Sequence, residues 1–135
     1  MDNIKPLMKF LILDADGVFT TGQFLYTIDG KFAKVFGPHD SDGIKLIKPY
    51  LQVQVITADH RGFGITKKRI KEDMGLKLSL VKEEDRLNWF KKNCDLKKTI
   101  YVGDGIYDAD IFNIVGYGIA PNSAFYLAKE KANYV

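Results

Sequence analysis

The sequence holds a single cysteine, Cys94. One thiol excludes an internal disulfide and fits a reducing compartment, so a cytoplasmic location is expected. Long hydrophobic runs are also missing. The longest apolar stretches, such as Phe10-Leu11-Ile12-Leu13, fall far short of the roughly 20 residues that span a membrane. Met1-Asp2-Asn3-Ile4-Lys5-Pro6 carries no apolar block of the kind a signal peptide needs. Charge of one sign is scarce: 20 Lys and Arg face 17 Asp and Glu, for a net +3. That is too mild to argue for a nucleic-acid partner, and the run Lys67-Lys68-Arg69 reads as the solvated face of a helix. No repeat, low-complexity tract or linker interrupts the chain. With 135 residues the expectation is one domain, 1–135, with little chain left for a separate lid over an active site.

What is present is an alternation of short apolar runs and longer amphipathic stretches. Phe10–Leu13, Val53–Thr57, Leu76–Val81, Thr99–Val102 and Tyr117–Ala120 read as strands. Residues 23–36 alternate around Asp29-Gly30, a hairpin-turn signal. Helices are expected over 41–50, with Ser41 or Asp42 as N-cap, over 62–74, 83–93 and 108–115, and from Asn122 to Ala132. This order predicts an α/β fold: a doubly wound, three-layer Rossmann-like domain with a mostly parallel sheet and a projecting β-hairpin, and no cap domain. In such sheets ligands bind beyond the carboxyl ends of the strands.

The strand ends are rich in carboxylates. The first strand runs into Asp14-Ala15-Asp16-Gly17, and the fourth into Gly103-Asp104-Gly105 with Asp108 close behind. Carboxylates gathered at one sheet edge repel one another unless a cation or proton sits between them. Oxygen donors without nearby His or Cys favour Mg²⁺. The second strand ends in the hydroxyl of Thr57, and Lys82 and Arg86 follow the third. Carboxylates, a hard cation, a hydroxyl and a basic group suit phosphoryl transfer, in which positioning and charge neutralisation do most of the work. Asp-x-Asp-Gly or Gly-Asp-Gly alone also makes ordinary turns and caps; their convergence on successive strand ends is what points to a site.

These residues resemble a known family. Leu13-Asp14-Ala15-Asp16-Gly17-Val18-Phe19-Thr20 resembles the first motif of the haloacid dehalogenase superfamily of phosphatases, Ile56-Thr57 the second, and Val102-Gly103-Asp104-Gly105 with Asp108 the fourth. The run Gly17–Gly22, the hairpin after it and Phe36-Gly37-Pro38-His39-Asp40 are similar to the capless group of 3-deoxy-manno-octulosonate 8-phosphate phosphatases. The resemblance implies that Asp14 is the nucleophile forming an aspartyl-phosphate, and that Asp16 is the general acid and then base. It implies Mg²⁺ held by Asp14, the Asp16 carbonyl and Asp104, with Asp108 supporting, and Thr57 on a phosphoryl oxygen. Gly17, His39, Asp40 and Ala58 would meet the substrate, a small phosphorylated sugar acid.

Three departures from that pattern matter. The third motif normally supplies a Lys. Arg86 falls at its place by one register and Lys82 by another, with Arg86 favoured. Ala58-Asp59 stands where relatives usually have Gly-Arg, which should change what the pocket accepts. The family often carries a Gly-rich C-terminal tail, and Tyr134-Val135 falls where that tail would begin; this branch lacks it or the sequence stops short of it. Phe24, Tyr26, Phe32 and Phe36 occupy even positions of the hairpin, predicting one aromatic face within each arm. That face is expected at a subunit interface of a homotetramer, where it would roof a neighbour's site. The alternative is a catalytically weak relative serving as an oligomerisation or regulatory domain.

Overall fold

The computed structural model describes residues 8–135. Residues 1–7, read above as free of a signal-peptide block, lie outside the described residues. Strand β1 (Phe10–Asp14) is the centre of the molecule. Its neighbours are β4 (Gln52–Thr57) and β6 (Thr99–Val102), both parallel to it. Outside them lie β5 (Lys77–Leu80) and β7 (Tyr117–Ile119), also parallel, giving the order β5-β4-β1-β6-β7. Strand β1 is buried on both faces, which is why its apolar residues run without interruption.

Alternation along β1 divides the core. Leu11 and Leu13 pack with Ile44, Val55, Ile70 and Leu76 under α1 (His39–Ile47) and α2 (Phe63–Lys67). Ile12 packs on the other side with Ile56, Phe90, Tyr101 and Ile111, against α3 (Arg86–Asn93), α4 (Ile106–Phe112) and α5 (Tyr126–Lys131). Helices thus cover both faces, and the order of winding reverses between β1 and β6. That switch point is where an open α/β sheet leaves a crevice. Among the described residues no helix is long and apolar enough to cross a membrane.

Several boundaries differ from the sequence expectation. Helix α1 starts at His39 behind Pro38, not behind Ser41 or Asp42. Asp40 and Asp42 instead fall in its first turn, where the helix dipole favours negative charge. The basic helix continues past α2 as a π-helical turn, Lys68–Asp73, and stops at Gly75, whose φ of 68° a glycine adopts freely. A 3₁₀ turn, Glu83–Asp85, precedes α3. Helix α4 begins two residues before Asp108, because the Asp108 carboxylate reaches back to accept from the Gly105 N–H at 2.9 Å. The last helix begins at Tyr126 rather than Asn122, since the Phe125 N–H is spent on the Asp104 carbonyl at 2.8 Å, outside any helical ladder.

The hairpin is the second sheet, β2 (Thr20–Thr27) against β3 (Gly30–Phe36). Its even-numbered aromatics share one face in the first arm, Phe24 and Tyr26, but not in the second, where Phe32 and Phe36 part. Leu25 pairs with Ala33 while Tyr26 pairs with Lys31, so Phe32 is left opposite nothing and the alternation breaks there. Phe24 and Tyr26 consequently lie on the same side as Lys34 and Lys31 and line the chain's own cavity. Phe36 packs against the core under α1.

Candidate active site

A cavity of about 720 Å³ opens at the carboxyl ends of β1, β4 and β6. Asp14, the last residue of β1, lies at its floor with one oxygen accepting from the Ala15 N–H at 2.9 Å. Asp104 follows β6, and its carboxylate comes within 4.8 Å of the Asp14 carboxylate. Burial raises Asp14 well above its usual value, and Asp108, Asp104 and Asp16 add to that while Arg86 opposes it. Burial and the nearby Asp108 likewise lift Asp104 to about 6.

Oxygens of Asp14, Asp104 and Asp108 come within 4.8 Å of one another. This is an excess of buried negative charge built from oxygen donors alone, and a hard divalent cation such as Mg²⁺ fits it. Asp108 is already saturated. Its Oδ1 accepts from Arg86 Nη1 and from the Tyr101 hydroxyl, both at 2.6 Å, and its Oδ2 from the N–H groups of Asp104 and Gly105, both at 2.9 Å. It therefore holds the loop in place, leaving Asp14 and Asp104 as the available side-chain ligands. Gly17 is part of the same construction. Its φ is 83°, and a Cβ there would run into the Asp104 carboxylate. We expect Gly17→Ala to displace Asp104 and lower turnover about 100-fold, with an unchanged far-ultraviolet circular dichroism spectrum.

Arg86 opens α3 and is 3% exposed. Burial works against its charge, yet the Tyr101 oxygen and the carboxylates of Asp14 and Asp108 hold it firmly protonated. Its contacts to Asp14 (3.3 Å), Tyr101 (3.2 Å) and Asp108 all leave from Nη1, while Nε is buried without a partner. Lys82 caps the 3₁₀ turn before α3 and stands exposed at the cavity rim. The 3₁₀ turn explains the difference: it turns Arg86 inward and leaves Lys82 outside. Thr57 is fully buried, and its hydroxyl accepts from the Asp59 N–H at 3.2 Å. Ala58 lines the cavity.

His39 and Asp40 are not brought into the cavity within one chain. His39 heads α1 with its side chain 92% exposed, 3.5 Å from Asp42. Burial raises Asp40, against the opposing pull of Arg69 and His39. In their place the hairpin brings Lys31 to the cavity wall, with Lys34 buried behind it; sequence reasoning passed over both. Both meet Asp59 Oδ2, at 2.7 and 2.8 Å. Lys34 Nζ also lies 2.8 Å from Asp16 Oδ1, an ion pair without hydrogen-bond alignment. Burial pushes Asp59 up, but the hydrogen bonds from Lys31, Lys34 and the Gly62 N–H outweigh it and hold the carboxyl well below the usual range. A depressed acid lends its stability above its unfolded value of 3.8 and loses it as pH falls through its folded value. The clasp is therefore intact at neutral pH. Cys94, pushed up to about 11 by burial, stays a protonated thiol.

No family model matches the chain. Over 133 residues it is 32% identical to the 3-deoxy-D-manno-octulosonate 8-phosphate phosphatase of Haemophilus influenzae, spanning 95% of this chain and 73% of that protein. The chain belongs to that phosphatase family. It is a phosphoric monoester hydrolase of the haloacid dehalogenase superfamily. The cobalt-bound structure of the Haemophilus influenzae phosphatase superimposes with a TM-score of 0.80 at 29% identity, over 98% of this chain and 79% of that one. A Moraxella catarrhalis phosphatase of this name, solved with magnesium, phosphate and KDO, shares the fold with a TM-score of 0.80 at 21% identity, over 99% of this chain and 80% of that one.

Proposed function

We propose that this phosphatase is Mg²⁺-dependent and works through an aspartyl-phosphate on a small phosphorylated sugar acid, such as 3-deoxy-manno-octulosonate 8-phosphate. The observation that carries the reading is the meeting of buried Asp14 and Arg86 with half-buried Asp104 at the sheet's switch point. Asp14 and Asp104, with the Asp16 carbonyl, would hold the metal. When bound, Mg²⁺ neutralises the carboxylate and phosphoryl charges that otherwise repel.

The chain's own residues then divide the chemistry. An Asp14 oxygen attacks phosphorus as the ester P–O bond breaks, and Asp16 gives a proton to the departing alkoxide. Asp16 next takes a proton from water, whose oxygen attacks phosphorus and releases Asp14 with inorganic phosphate. Arg86 has Nε unspent and buried beside Asp14, which favours it over Lys82 as the group that receives phosphoryl oxygens. Thr57 supports the phosphoryl group from the end of β4. Gly17 and Ala58 shape the cavity wall, and His39 and Asp40 reach substrate only across a subunit boundary. We infer a cytoplasmic homotetramer whose contact uses the exposed apolar residues of the hairpin, Leu25, Ile28, Phe32 and Val35.

The test is phosphate release from eight- and nine-carbon sugar acid phosphates and from hexose phosphates. Release is expected to vanish with excess chelator, to return with Mg²⁺ and to favour the sugar acids. Release that persisted in chelator would overturn the metal requirement, and equal rates on hexose phosphates would overturn the substrate class.

A further inference from the structure

Asp16, Lys34, Asp59 and Lys31 form an unbroken file of alternating charge across the base of the hairpin. The two lysines are not equivalent. The Lys34 side chain is completely buried, donating to the Thr66 hydroxyl and paired with the carboxylates of Asp16 and Asp59, all at 2.8 Å. It has no surface left for a ligand. Lys31 Nζ has one carboxylate oxygen, Asp59 Oδ2, and lies 3.9 Å from the centre of the Phe24 ring. That oxygen is the one it shares with Lys34. Asp59 thus divides one negative charge between two ammonium groups, and only Lys34 has a second carboxylate to complete its balance. Among the described residues no other carboxylate lies within ion-pair distance of Lys31.

Lys31 also lines the cavity, whereas Lys34 does not. Phe24 and Asp59 fix its ammonium in place, so little side-chain entropy remains to be lost when an anion arrives. Lys31 is linked to Asp16, the group that would serve the leaving oxygen, through Asp59 and Lys34. Lys31 and Asp16 line the same cavity, so a phosphomonoester held at Asp14 and Asp16 can offer a second anion, carried further along its carbon skeleton, to Lys31.

We propose that Lys31 is the specificity-determining residue for the substrate's carboxylate, with Asp59 and Lys34 as the positioning residues that hold it. This rests on the phosphatase reading above. The enzyme would select phosphomonoesters bearing a carboxylate over those whose phosphate is the only anionic group, by means of the hairpin.

The experiment compares kcat and KM for 3-deoxy-manno-octulosonate 8-phosphate and for p-nitrophenyl phosphate, which has no second anion, in wild type, Lys31→Met and Lys31→Arg. Lys31→Met should lower the ratio of the two kcat/KM values about ten-fold, mainly through KM of the sugar acid, as expected for loss of one charge-assisted hydrogen bond. Lys31→Arg, which keeps the charge, should recover most of the ratio. A ratio that held in Lys31→Met would overturn the inference, whether both activities fell together or neither moved. So would wild-type activity confined to p-nitrophenyl phosphate. Wild-type protein inert towards both substrates would instead remove the phosphatase reading on which it stands.

Discussion

Asp14→Asn is expected to reduce phosphate release by about 10⁴-fold or more, the scale on which loss of a nucleophile is felt. The amide is nearly isosteric but lacks the charge and the lone-pair availability that attack on phosphorus needs. The fold should survive the change. Asp14 as a carboxylate is buried beside Asp104, Asp108 and Asp16, and burial and those neighbours already oppose its ionisation. For an acid raised in the folded state, stability falls as pH climbs from the unfolded value towards the folded one. Removing that acid removes the penalty. The metal-free Asp14→Asn protein should therefore melt at neutral pH no lower than metal-free wild type. Activity and melting temperature measured on one preparation check both halves. An inactive variant that also unfolds would leave the nucleophile unproven, and an active one would refute it.

Asp108→Ala should produce the largest loss of stability. Its carboxylate collects four donors in a fully buried position. Truncation leaves the Tyr101 hydroxyl and two backbone N–H groups without their acceptor, and leaves Arg86 with only the long contacts to Asp14 and the Tyr101 hydroxyl. Breaking a buried pair of this kind costs about 3–5 kcal/mol, or roughly 10 °C in melting temperature for a domain of this size. Asp110→Ala, on the exposed side of the same helix, should change stability by less than about 0.5 kcal/mol. The double variant Asp108→Ala/Arg86→Met should recover part of the loss, because the stranded cation is gone. Thermal unfolding of these proteins and of Arg86→Met decides it, and additive losses would mean that the two residues do not act as one network.

The sequence made the sheet and its carboxylates readable for a local reason. An apolar run followed at once by Asp, as at Leu13-Asp14 and Val102-Gly103-Asp104, ties a functional side chain to a strand end, and the parallel order then gathers those ends. The hairpin was only half readable. Asp29-Gly30 marks the turn, but the slip that leaves Phe32 unpaired carries no residue signature, so alternation predicts the face of the first arm and not that of the second. Lys31 and Lys34 hid among those aromatics. Their partner Asp59 is 28 and 25 positions away, and no local period links them. That Arg86 is turned inward while Lys82 stays exposed depends on one 3₁₀ turn between them, which composition does not encode.

The central place of β1 has a consequence for synthesis. Its partner β6 begins at Thr99, nearly ninety residues later. Until the ribosome has released that strand, β1 has a bare edge carrying Leu11, Ile12 and Leu13, a ready template for pairing with another nascent chain. Protein stalled or cut between Thr57 and Thr99 should be recovered in aggregates or bound to chaperones, while the finished chain closes over that edge.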